Sequence, residues 1–430
     1  MKQGVKIALL GFGTVGQGTV ELLTKNLDVI QNRISVPVTI DKIYVRNPDK
    51  YSHVALPATA TFVTDYKEIL QDSSVDIVVE VMGGTTFART CIEEAIIAGK
   101  HVVTANKDLL AEAGPYLMEL ATKHHVDLRF EASVAGAIPI IRALYDSFGG
   151  NQITEIMGIL NGTTNFILSK MSEDGLGYEE VLKEAQDLGY AEADPTSDVE
   201  GYDAARKLAI LGSIAFNKRI FFEDVSCEGI TQIDASDIQF GKEFGYTIKL
   251  LGIARETKKG LSLNVHPAFI ANTHPLASVR GSFNAVFLRG NGFDEAMFYG
   301  RGAGSLPTGS SIVSDVMEVA RNVVQGKTGE MKQFYYPQKT MYSSSKIESA
   351  YYIRMTVDNS TGVLAKVATK LAEQRISAHS VIQRKADNDT ATLAIITSKC
   401  PHAYIQNLID SFNHLRVVRE VGSVIRIMVE

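Results

Sequence analysis

A short apolar run followed by a glycine-rich turn opens the chain and restricts the folds it can adopt. Residues 6–10 (KIALL) are predicted to form a strand, residues 11–16 (GFGTVG) have the G-x-G-x-x-G spacing, and residues 17–25 show helical periodicity. Such a turn lets a pyrophosphate approach the backbone at a helix N-terminus. The pattern predicts a dinucleotide-binding α/β domain, and the alternative is a plain βα turn. The candidate cofactor-binding residues are Gly11, Phe12, Gly13, Thr14, Val15 and Gly16.

The end of the predicted second strand bears on which dinucleotide is bound. Residues 38–45 are followed by Arg46, with Lys50 nearby, whereas Asp41 lies inside the strand pattern. An acidic residue at this end binds the ribose 2′-hydroxyl of NAD, and an arginine accommodates the 2′-phosphate of NADP. Arg46 therefore favours NADP(H), while NAD(H) stays open. The alternative is that Arg46 only solvates a loop.

Two further apolar runs extend the predicted parallel sheet. Residues 75–81 and 101–104 have the near-continuous hydrophobicity of buried parallel strands. Lys107 follows the second run, at the strand end where open α/β sheets bind ligands. Lys107 is therefore a candidate for the junction of cofactor and substrate, and the alternative is an ordinary surface lysine.

Length, charge and cysteine content exclude several classes of protein. A chain of 430 residues predicts two or three domains, and a net charge of −6 argues against a nucleic-acid partner. Cys91, Cys227 and Cys400 are too few and too far apart for a disulfide framework or for metal-ligand spacing. No apolar run reaches about 18 residues and no signal peptide is apparent, so we expect a cytoplasmic protein without a membrane partner.

Residues 185–207 (AQDLGYAEADPTSDVEGYDAARK) combine several carboxylates with one lysine around a bent loop. Asp203 and Lys207 are four residues apart and share one face of a predicted helix. Such a pair on a surface contributes only about 0.3–0.5 kcal/mol, so a solvated loop is the simple interpretation.

Read as a whole, residues 185–207 resemble the signature of homoserine dehydrogenases. The Thr104-Ala-Asn-Lys107 element and the Asn161-Gly-Thr-x-Asn165 element resemble the same family, and the resemblance covers essentially the whole chain. It implies NAD(P)H-dependent, reversible reduction of L-aspartate 4-semialdehyde to L-homoserine, in threonine, methionine and isoleucine biosynthesis. Two rivals stay open: a dehydrogenase of another amino-acid aldehyde, and a non-catalytic sensor of an amino acid or nucleotide.

The resemblance also implies roles for single residues. Lys207 is the expected proton donor, and Asp203 orients it and, with Asp198, tunes its pKa. Lys107 at the junction of cofactor and substrate is the other candidate for the acid/base role, and which of the two lysines passes the proton stays open. The implied substrate-binding residues are Glu192 at the ammonium, with Gly189 and Thr163 at the amino-acid end. Gly302, in a second glycine-rich loop, is implied to help cover the nicotinamide; the alternative is a flexible turn. A sodium-like monovalent cation is implied at the Glu131 carboxylate and at the main-chain oxygens of Val134, Gly136 and Ile138.

The last 80 or so residues have a different character. Their pattern predicts βαββαβ, and residues 358–364 (DNSTGVL) resemble the opening of an ACT domain, a module that binds regulatory amino acids. Threonine would be the implied effector, and a purely structural ferredoxin-like appendage is the alternative. By analogy with such cores and ACT domains, we expect a homodimer or homotetramer.

These interpretations give a three-part α/β architecture. We expect a Rossmann-type doubly wound cofactor domain (residues 1–140, with a return helix at 305–328) and an α+β open-sheet catalytic and dimerisation domain (141–304). A linker (329–349) and a C-terminal βαββαβ ferredoxin-like ACT regulatory domain (350–430) follow.

Overall fold

The computed structural model describes residues 2–329 and 339–428. Its strands are β1 (Val5–Leu10), β2 (Val38–Tyr44), β3 (Thr61–Val63), β4 (Ile77–Glu80), β5 (His101–Thr104), β6 (Leu128–Arg129), β7 (Ile153–Ile159), β8 (Ser226–Cys227), β9 (Tyr246–Thr257), β10 (Gly260–Ala271), β11 (Phe283–Gly290), β12 (Asp294–Arg301), β13 (Glu348–Asp358), β14 (Ala378–Lys385), β15 (Thr390–Thr397), β16 (Cys400–Pro401) and β17 (Val418–Met428).

Its helices are α1 (Thr14–Lys25), α2 (Leu27–Ile34), α3 (Lys67–Leu70), α4 (Phe87–Ile97), α5 (Lys107–Lys123), α6 (Ile140–Arg142), α7 (Gly162–Asp174), α8 (Tyr178–Asp187), α9 (Thr196–Val199), α10 (Tyr202–Ala215), α11 (Ala235–Glu243), α12 (Ser305–Gln325), α13 (Val363–Glu373) and α14 (His402–Asn413). Among the described residues, no helix is long and apolar enough to cross a membrane.

The chain divides into two compact units. Unit 1 comprises Met1–Ile153, Arg206–Asp224 and Asn284–Lys339, and unit 2 comprises the remaining segments. Both units are therefore built from separated stretches of sequence. Residues 330–338 of the predicted linker lie outside the described residues.

Unit 1 contains a six-stranded sheet in the order β3-β2-β1-β4-β5-β6, and every pairing in it is parallel. This is the strand order of a dinucleotide-binding doubly wound fold, which confirms the predicted Rossmann-type sheet. Ile7, Leu9 and Val79 are completely buried in its core, as expected for strands covered on both faces.

The late helix α12 belongs to unit 1 and packs closely on α1. A Cβ atom on Gly18 would lie 2.4 Å from the backbone oxygen of Ser305, and one on Gly309 would lie 2.9 Å from the backbone carbon of Gly18. Because contacts this short leave no room for a side chain, glycine at these positions is what allows α12 to approach the first helix.

Unit 2 contains a mixed sheet in the order β7-β9-β10-β17-β13-β15-β14. β9 and β10 form a long antiparallel hairpin, and the last strand, β17, pairs with β10 in parallel. The C-terminal elements follow the predicted order β13-α13-β14-β15-α14-β17, with the two-residue β16 before α14. Their strands continue the sheet of the central region and do not form a separate one.

Several local predictions were wrong. The apolar pattern of residues 128–132 predicts a strand, but β6 stops at Arg129 and Glu131 starts a 3-10 turn. The first helix begins at Thr14 and not at Gln17. The pattern of residues 166–171 predicts a short helix, whereas α7 spans Gly162–Asp174. Residues 140–147 change from α-helical to π-helical geometry at Ala143. The sequence patterns also missed α9, α11 and β12.

Candidate active site

The glycine-rich turn of unit 1 has the geometry that a dinucleotide requires. Gly11 has φ +105°, a Cβ on Gly16 would lie 2.6 Å from the Gly11 carbonyl oxygen, and Gly13 faces open space. Gly13 precedes α1 without any side-chain cap in the described part of the chain. The backbone amides of Thr14 and Val15, the first residues of α1, are therefore available to an anion. Residues 11–16 thus fit a bound pyrophosphate.

A cleft of about 760 Å³ opens beside this turn. Gly11, Phe12 and Gly13 line one side, and Arg46 and Lys50 lie among the residues from the end of β2 onwards. The Phe12 ring is almost completely buried and packs edge-on against Tyr51, so only the backbone of Phe12 can meet a ligand.

The charges at the ribose end of this cleft are cationic. Arg46 and Lys50 are both exposed, and Asp41 instead pairs with Lys42 at 2.9 Å and with Lys6 at 3.3 Å. No carboxylate is found among the described lining residues. The side chains present therefore suit a phosphate better than a hydroxyl at this end.

A buried carboxylate, which the sequence analysis missed, shapes the loop after β4. Glu80 accepts hydrogen bonds from the Met82 amide (2.8 Å), from the Gly83 amide (3.2 Å) and from the Thr104 hydroxyl (2.6 Å). Burial raises the pKa of Glu80 above its ordinary value. Glu80 thereby fixes the glycine-rich loop to the end of the neighbouring strand β5.

The Thr104-Ala-Asn-Lys107 element sets the start of α5. The Asn106 side chain accepts from the Leu109 amide at 3.1 Å as the N-cap, and its amide nitrogen donates to the Gly84 carbonyl at 2.7 Å. The Thr104 hydroxyl accepts from the Asn106 amide at 3.0 Å. Lys107 is therefore the first residue of α5 and stands beside the loop that lines the cofactor cleft.

Lys207 lies on α10, and the boundary between the units falls within that helix, after Ala205. Inside unit 1, Arg206 forms an ion pair with Asp108 at 3.2 Å. Arg206 precedes Lys207, and Asp108 follows Lys107. This ion pair therefore brings the two predicted catalytic lysines into the same region of unit 1, and both lysines are half-buried.

In unit 2, one amide joins the two predicted catalytic carboxylates. The Asn161 side-chain nitrogen donates to Asp198 at 2.7 Å and to Asp203 at 2.9 Å. Its oxygen accepts from the Thr164 amide at 2.8 Å and so caps α7. Asn161 is buried, and so is Asp203. The position of Asn161 directly before a helical run is the sequence signal of an N-cap that could have identified this role.

The predicted substrate-binding residues differ in their surroundings. The Thr163 hydroxyl donates to the Tyr190 carbonyl at 2.6 Å, which ties the start of α7 to the loop that contains Gly189. Gly189 has φ +75°, in the left-handed region that a turn after α8 requires. The side chain of Glu192 is exposed in unit 2. The structure thus brings Thr163 and the Gly189 loop together, while Glu192 lies on the surface of the unit.

A buried lysine next to the Asn161–Asn165 element was also not predicted from the sequence. Lys249 on β9 donates to the Asn165 side-chain oxygen at 2.9 Å and to the Val279 carbonyl. Burial lowers its pKa to about 8. The nitrogen of Asn165 in turn donates to the carbonyls of Gly281 (2.9 Å) and Phe283 (3.1 Å). Asn165 and Lys249 together order the loop before β11.

The residues implied for the cation lie around a turn of unit 1. The two Glu131 carboxylate oxygens accept from the amides of Ile141 and Arg142, both at 2.8 Å. The Gly136 carbonyl accepts from Ser311 at 2.7 Å, and the Ile138 carbonyl accepts from the Ile140 amide at 2.8 Å. Val134 is completely buried. Each oxygen keeps a second lone pair, so this donor set is compatible with a hard cation.

A second buried carboxylate adds negative charge next to this turn. Asp315 of α12 accepts from the Glu131 amide at 2.8 Å and pairs with Arg142 at 3.1 Å. Burial, and then the charge of Glu131, raise the pKa of Asp315 to about 7. Burial likewise raises the pKa of Glu131. A monovalent cation bound here would reduce the repulsion between the carboxylates of Glu131 and Asp315. In the described residues, no group of three or more His, Cys, Asp or Glu side chains is arranged to hold a metal.

Gly302 lies at a tight packing point. A Cβ on Gly302 would lie 2.1 Å from the side chain of Asn284, and one on Gly136 would lie 2.5 Å from the Gly302 carbonyl oxygen. Gly302 is absent from the described residues that line the cofactor cleft. The Asn284 side chain therefore leaves no room for a side chain at residue 302, and the close approach of the Gly302 backbone leaves none at residue 136.

Comparison with known proteins identifies the family. Residues 11–131 match the family model "Homoserine dehydrogenase, NAD binding domain", and residues 139–317 match the model "Homoserine dehydrogenase". The homoserine dehydrogenase of Bacillus subtilis (strain 168) is 42% identical over 99% of this chain and 98% of its own length. That of Corynebacterium glutamicum is 42% identical over 98% of this chain and 95% of its own length.

A solved structure agrees with these sequence relatives. The crystal structure of a homoserine dehydrogenase from Thiobacillus denitrificans superimposes with a TM-score of 0.93 and 38% identity, and covers 99% of this chain and 98% of its own. These similarities extend over nearly the whole chain and include both family regions. They confirm the resemblance drawn from the sequence motifs, and the chain belongs to the homoserine dehydrogenase family.

Proposed function

We propose that this oxidoreductase interconverts L-aspartate 4-semialdehyde and L-homoserine with NADP(H), in the biosynthesis of threonine, methionine and isoleucine. The observation that carries the proposal is the Asn161 amide, which holds the carboxylates of Asp198 and Asp203 together. Asp203 lies one helical turn before Lys207 on α10. A pair of acids that includes Asp203 suits the control of an ammonium group that exchanges a proton with the substrate.

Residues 11–16 with Arg46 would hold the cofactor, which would supply or accept the hydride at the substrate carbon. During reduction, negative charge develops on the carbonyl oxygen and must be stabilised and protonated. Lys207 donates that proton from its Nζ, and Asp203 orients the lysine with help from Asp198. Lys107, at the first turn of α5, contributes a second positive charge near the carbonyl oxygen. The Arg206–Asp108 ion pair supports joint action of the two lysines.

The substrate also carries an ammonium and a carboxylate. Glu192 binds the ammonium, and the backbone near Gly189 together with the hydroxyl of Thr163 surrounds the amino-acid end. The hydrogen bond from Thr163 to Tyr190 supports this assignment, because it holds the Gly189 loop next to α7.

Arg46 and Lys50 select NADP(H) over NAD(H) by pairing with the 2′-phosphate. Their position in the cleft beside residues 11–13 supports this preference, as does the engagement of Asp41 elsewhere. A monovalent cation at Glu131, Val134, Gly136 and Ile138 serves a structural role at the turn before α6. We further propose that residues 350–430 form an ACT regulatory domain with threonine as effector, and that the chain assembles as a homodimer or homotetramer.

The first experiment is oxidation of L-homoserine at alkaline pH, followed by the absorbance of the reduced cofactor, with NADP⁺ and NAD⁺ in parallel. We expect turnover with both and a higher kcat/KM with NADP⁺. Turnover of another amino-acid alcohol with rejection of homoserine would instead favour a dehydrogenase of a different aldehyde. Inhibition by L-threonine tests the effector, and light scattering during size-exclusion chromatography tests the oligomer.

The role of Lys207 is tested separately. Lys207→Met should lower kcat by about 10²–10⁴-fold, the usual contribution of general acid–base catalysis, and leave the KM for NADP⁺ unchanged. Lys183→Met is the matched control, because Lys183 is an exposed lysine on α8 and should retain full activity. Full activity of the Lys207 variant would assign proton transfer to another group.

A further inference from the structure

A second cleft, of about 520 Å³, lies in unit 2 and has no part in the proposed reaction. Strands β13 and β17 contribute Tyr351, Val424 and Arg426, helix α14 contributes a row of side chains, and the loop after β8 contributes Glu228. The lining residues from α14 are His402, Ile405, Gln406, Asn407, Ile409 and Asp410. The cleft therefore combines an apolar wall with a polar end.

The polar end is built around one guanidinium. Arg426 pairs with Glu228 at 3.0 Å; the Arg426 side chain is 17% exposed and that of Glu228 is 53% exposed. Next to them, the Tyr351 hydroxyl lies 3.0 Å from Nδ1 of His402, and the two rings stack. Burial lowers the pKa of His402, so this imidazole is neutral near pH 7. Arg426 is therefore the cation of this cleft among the described lining residues.

The carboxylate of Glu228 can readily be replaced by another carboxylate as the partner of Arg426. An ion pair with one well-exposed partner contributes only about 0–1 kcal/mol, whereas arginine binds carboxylates in a bidentate geometry. A ligand carboxylate can thus replace Glu228 at the guanidinium. The apolar side chains of Ile405, Ile409 and Val424 then lie in the same cleft, where a short hydrocarbon chain can be buried.

Glu228 connects this cleft with the predicted catalytic carboxylates. Its amide donates to Val265 at 2.8 Å, and the next residue, Gly229, is so close to α9 that a Cβ there would lie 2.4 Å from the Val199 carbonyl oxygen. The Ile230 amide donates to the same carbonyl at 2.8 Å. Val199 directly follows Asp198, one of the two acids bound by Asn161. Glu228 is therefore joined through Gly229 and Ile230 to the segment that carries Asp198.

We propose that this cleft is a regulatory site for a small carboxylate with a short apolar chain, which displaces Glu228 from Arg426 and thereby changes the position of Asp198. The site is distinct from the loop that resembles an ACT opening. That loop follows Asp358 at the other end of β13, seven residues from Tyr351, which corresponds to about 23 Å along a strand. Ligand binding does not depend on the proposed catalytic roles, and only the effect on rate does.

Isothermal titration calorimetry of the full-length chain tests the binding step. Isovalerate and L-valine are suitable probes, because both carry a carboxylate and the same branched chain, and only valine also has an ammonium. Binding of both assigns the site to carboxylates in general, and binding of valine alone assigns it to amino acids. Absence of binding by both probes at millimolar concentration would refute the proposal.

Variants on β17 test the location. Arg426→Met should weaken binding at least 10-fold, while Arg419→Met should leave binding unchanged. Arg419 is the matched control, because it lies on the same strand and pairs with Asp358 at the far end. Equal affinity in the wild type and the Arg426 variant would place the bound probe elsewhere.

Glu228→Gln provides a test that does not require loss of the arginine. This variant removes the competing carboxylate, so the probe should bind about twofold more tightly or better. In the wild type the probe should change kcat/KM for homoserine oxidation, and in the Glu228 variant this change should disappear. Tighter binding with an unchanged rate effect would refute the transmission through Glu228. Binding without any rate effect in the wild type would refute the regulatory role and leave the catalytic proposal intact.

Discussion

Replacing Asn161 with aspartate tests how the two acids are held together. In the wild type, the Asn161 nitrogen donates to Asp198 at 2.7 Å and to Asp203 at 2.9 Å, while its oxygen caps α7 through the Thr164 amide. Aspartate has nearly the same size and keeps the capping oxygen. It replaces the donor by a second oxygen, so three carboxyl groups meet at hydrogen-bonding distance.

The expected loss of stability follows from these distances. At about 3 Å and an effective dielectric constant of about 20, two like charges repel by about 5 kcal/mol. One of the three carboxyls will bind a proton instead. Protonating a carboxyl of ordinary pKa, about 3.9, at pH 7.5 costs about 5 kcal/mol, and this is the upper limit of the loss in unfolding free energy.

This loss depends on pH with a known sign. In Asn161→Asp the shared proton raises the folded-state pKa of the carboxyl cluster, so the folded state binds more protons than the unfolded state. Its stability therefore falls as the pH rises above the ordinary carboxyl pKa, by about 1.4 kcal/mol per pH unit, until the folded-state pKa is reached. At pH 5.5 the deficit should be about 2–3 kcal/mol smaller than at pH 7.5.

Urea denaturation of Asn161→Asp and Asn161→Ser at the two pH values measures this difference. Serine keeps an N-cap oxygen and removes the amide donor without adding a charge. Its deficit relative to the wild type should therefore be the same at pH 5.5 and pH 7.5. Equal pH dependence of the two variants would refute the reasoning, because it would mean that Asp198 and Asp203 do not repel a third carboxylate.

Three further predictions concern other parts of the chain. Arg46→Met should raise the KM for NADP⁺ about 10-fold or more, which corresponds to the loss of one charge-assisted hydrogen bond, and leave the KM for NAD⁺ within about twofold; similar changes for both cofactors would contradict phosphate recognition. Burial lowers the pKa of Lys249 to about 8 in the folded state, so above pH 8 the unfolded state binds more protons and stability rises. Between pH 8 and pH 10, the unfolding free energy of the wild type should rise by about 2 kcal/mol more than that of Lys249→Met, as measured by denaturation at the two pH values. An equal rise in both proteins would contradict a lowered pKa of Lys249 in the folded state. Asp237 is completely buried and accepts from Arg354 at 2.6 Å and from Ser423 at 2.6 Å, so Asp237→Ala should lower the unfolding free energy by about 3–5 kcal/mol, and a loss below about 1 kcal/mol would contradict its role in joining α11 to the C-terminal strands.

The cofactor domain could be predicted well from sequence because its signals are local. Consecutive apolar residues identify buried parallel strands, and glycines at fixed spacing identify the turn between β1 and α1. The end of β6 was less predictable. Residues 128–132 continue an apolar pattern, but Glu131 turns inward and its carboxylate accepts the amides that open α6. A hydrophobic period contains no information about such a tertiary hydrogen bond.

In the candidate active site, too, some features follow from local sequence patterns and others only from tertiary contacts. The spacing of Asp203 and Lys207 on one helix, and the Asn161 motif before another, are features of the sequence. That Asn161 bonds to Asp198 and Asp203, 37 and 42 residues away, is a feature of the folded chain. The buried Glu80 and Lys249 stood in strands whose apolar neighbours gave no sign of their hydrogen-bond partners.

The sequence by itself determined the dinucleotide-binding turn, the parallel strands around it and the family, because each depends on residue types at short and fixed spacing. Only the tertiary structure decided which buried polar groups meet: Glu80 with Thr104, and Asn161 with the two acids. The physical reason is that a buried polar group must find a partner wherever the packing of distant segments provides one, and that partner has no fixed separation along the chain.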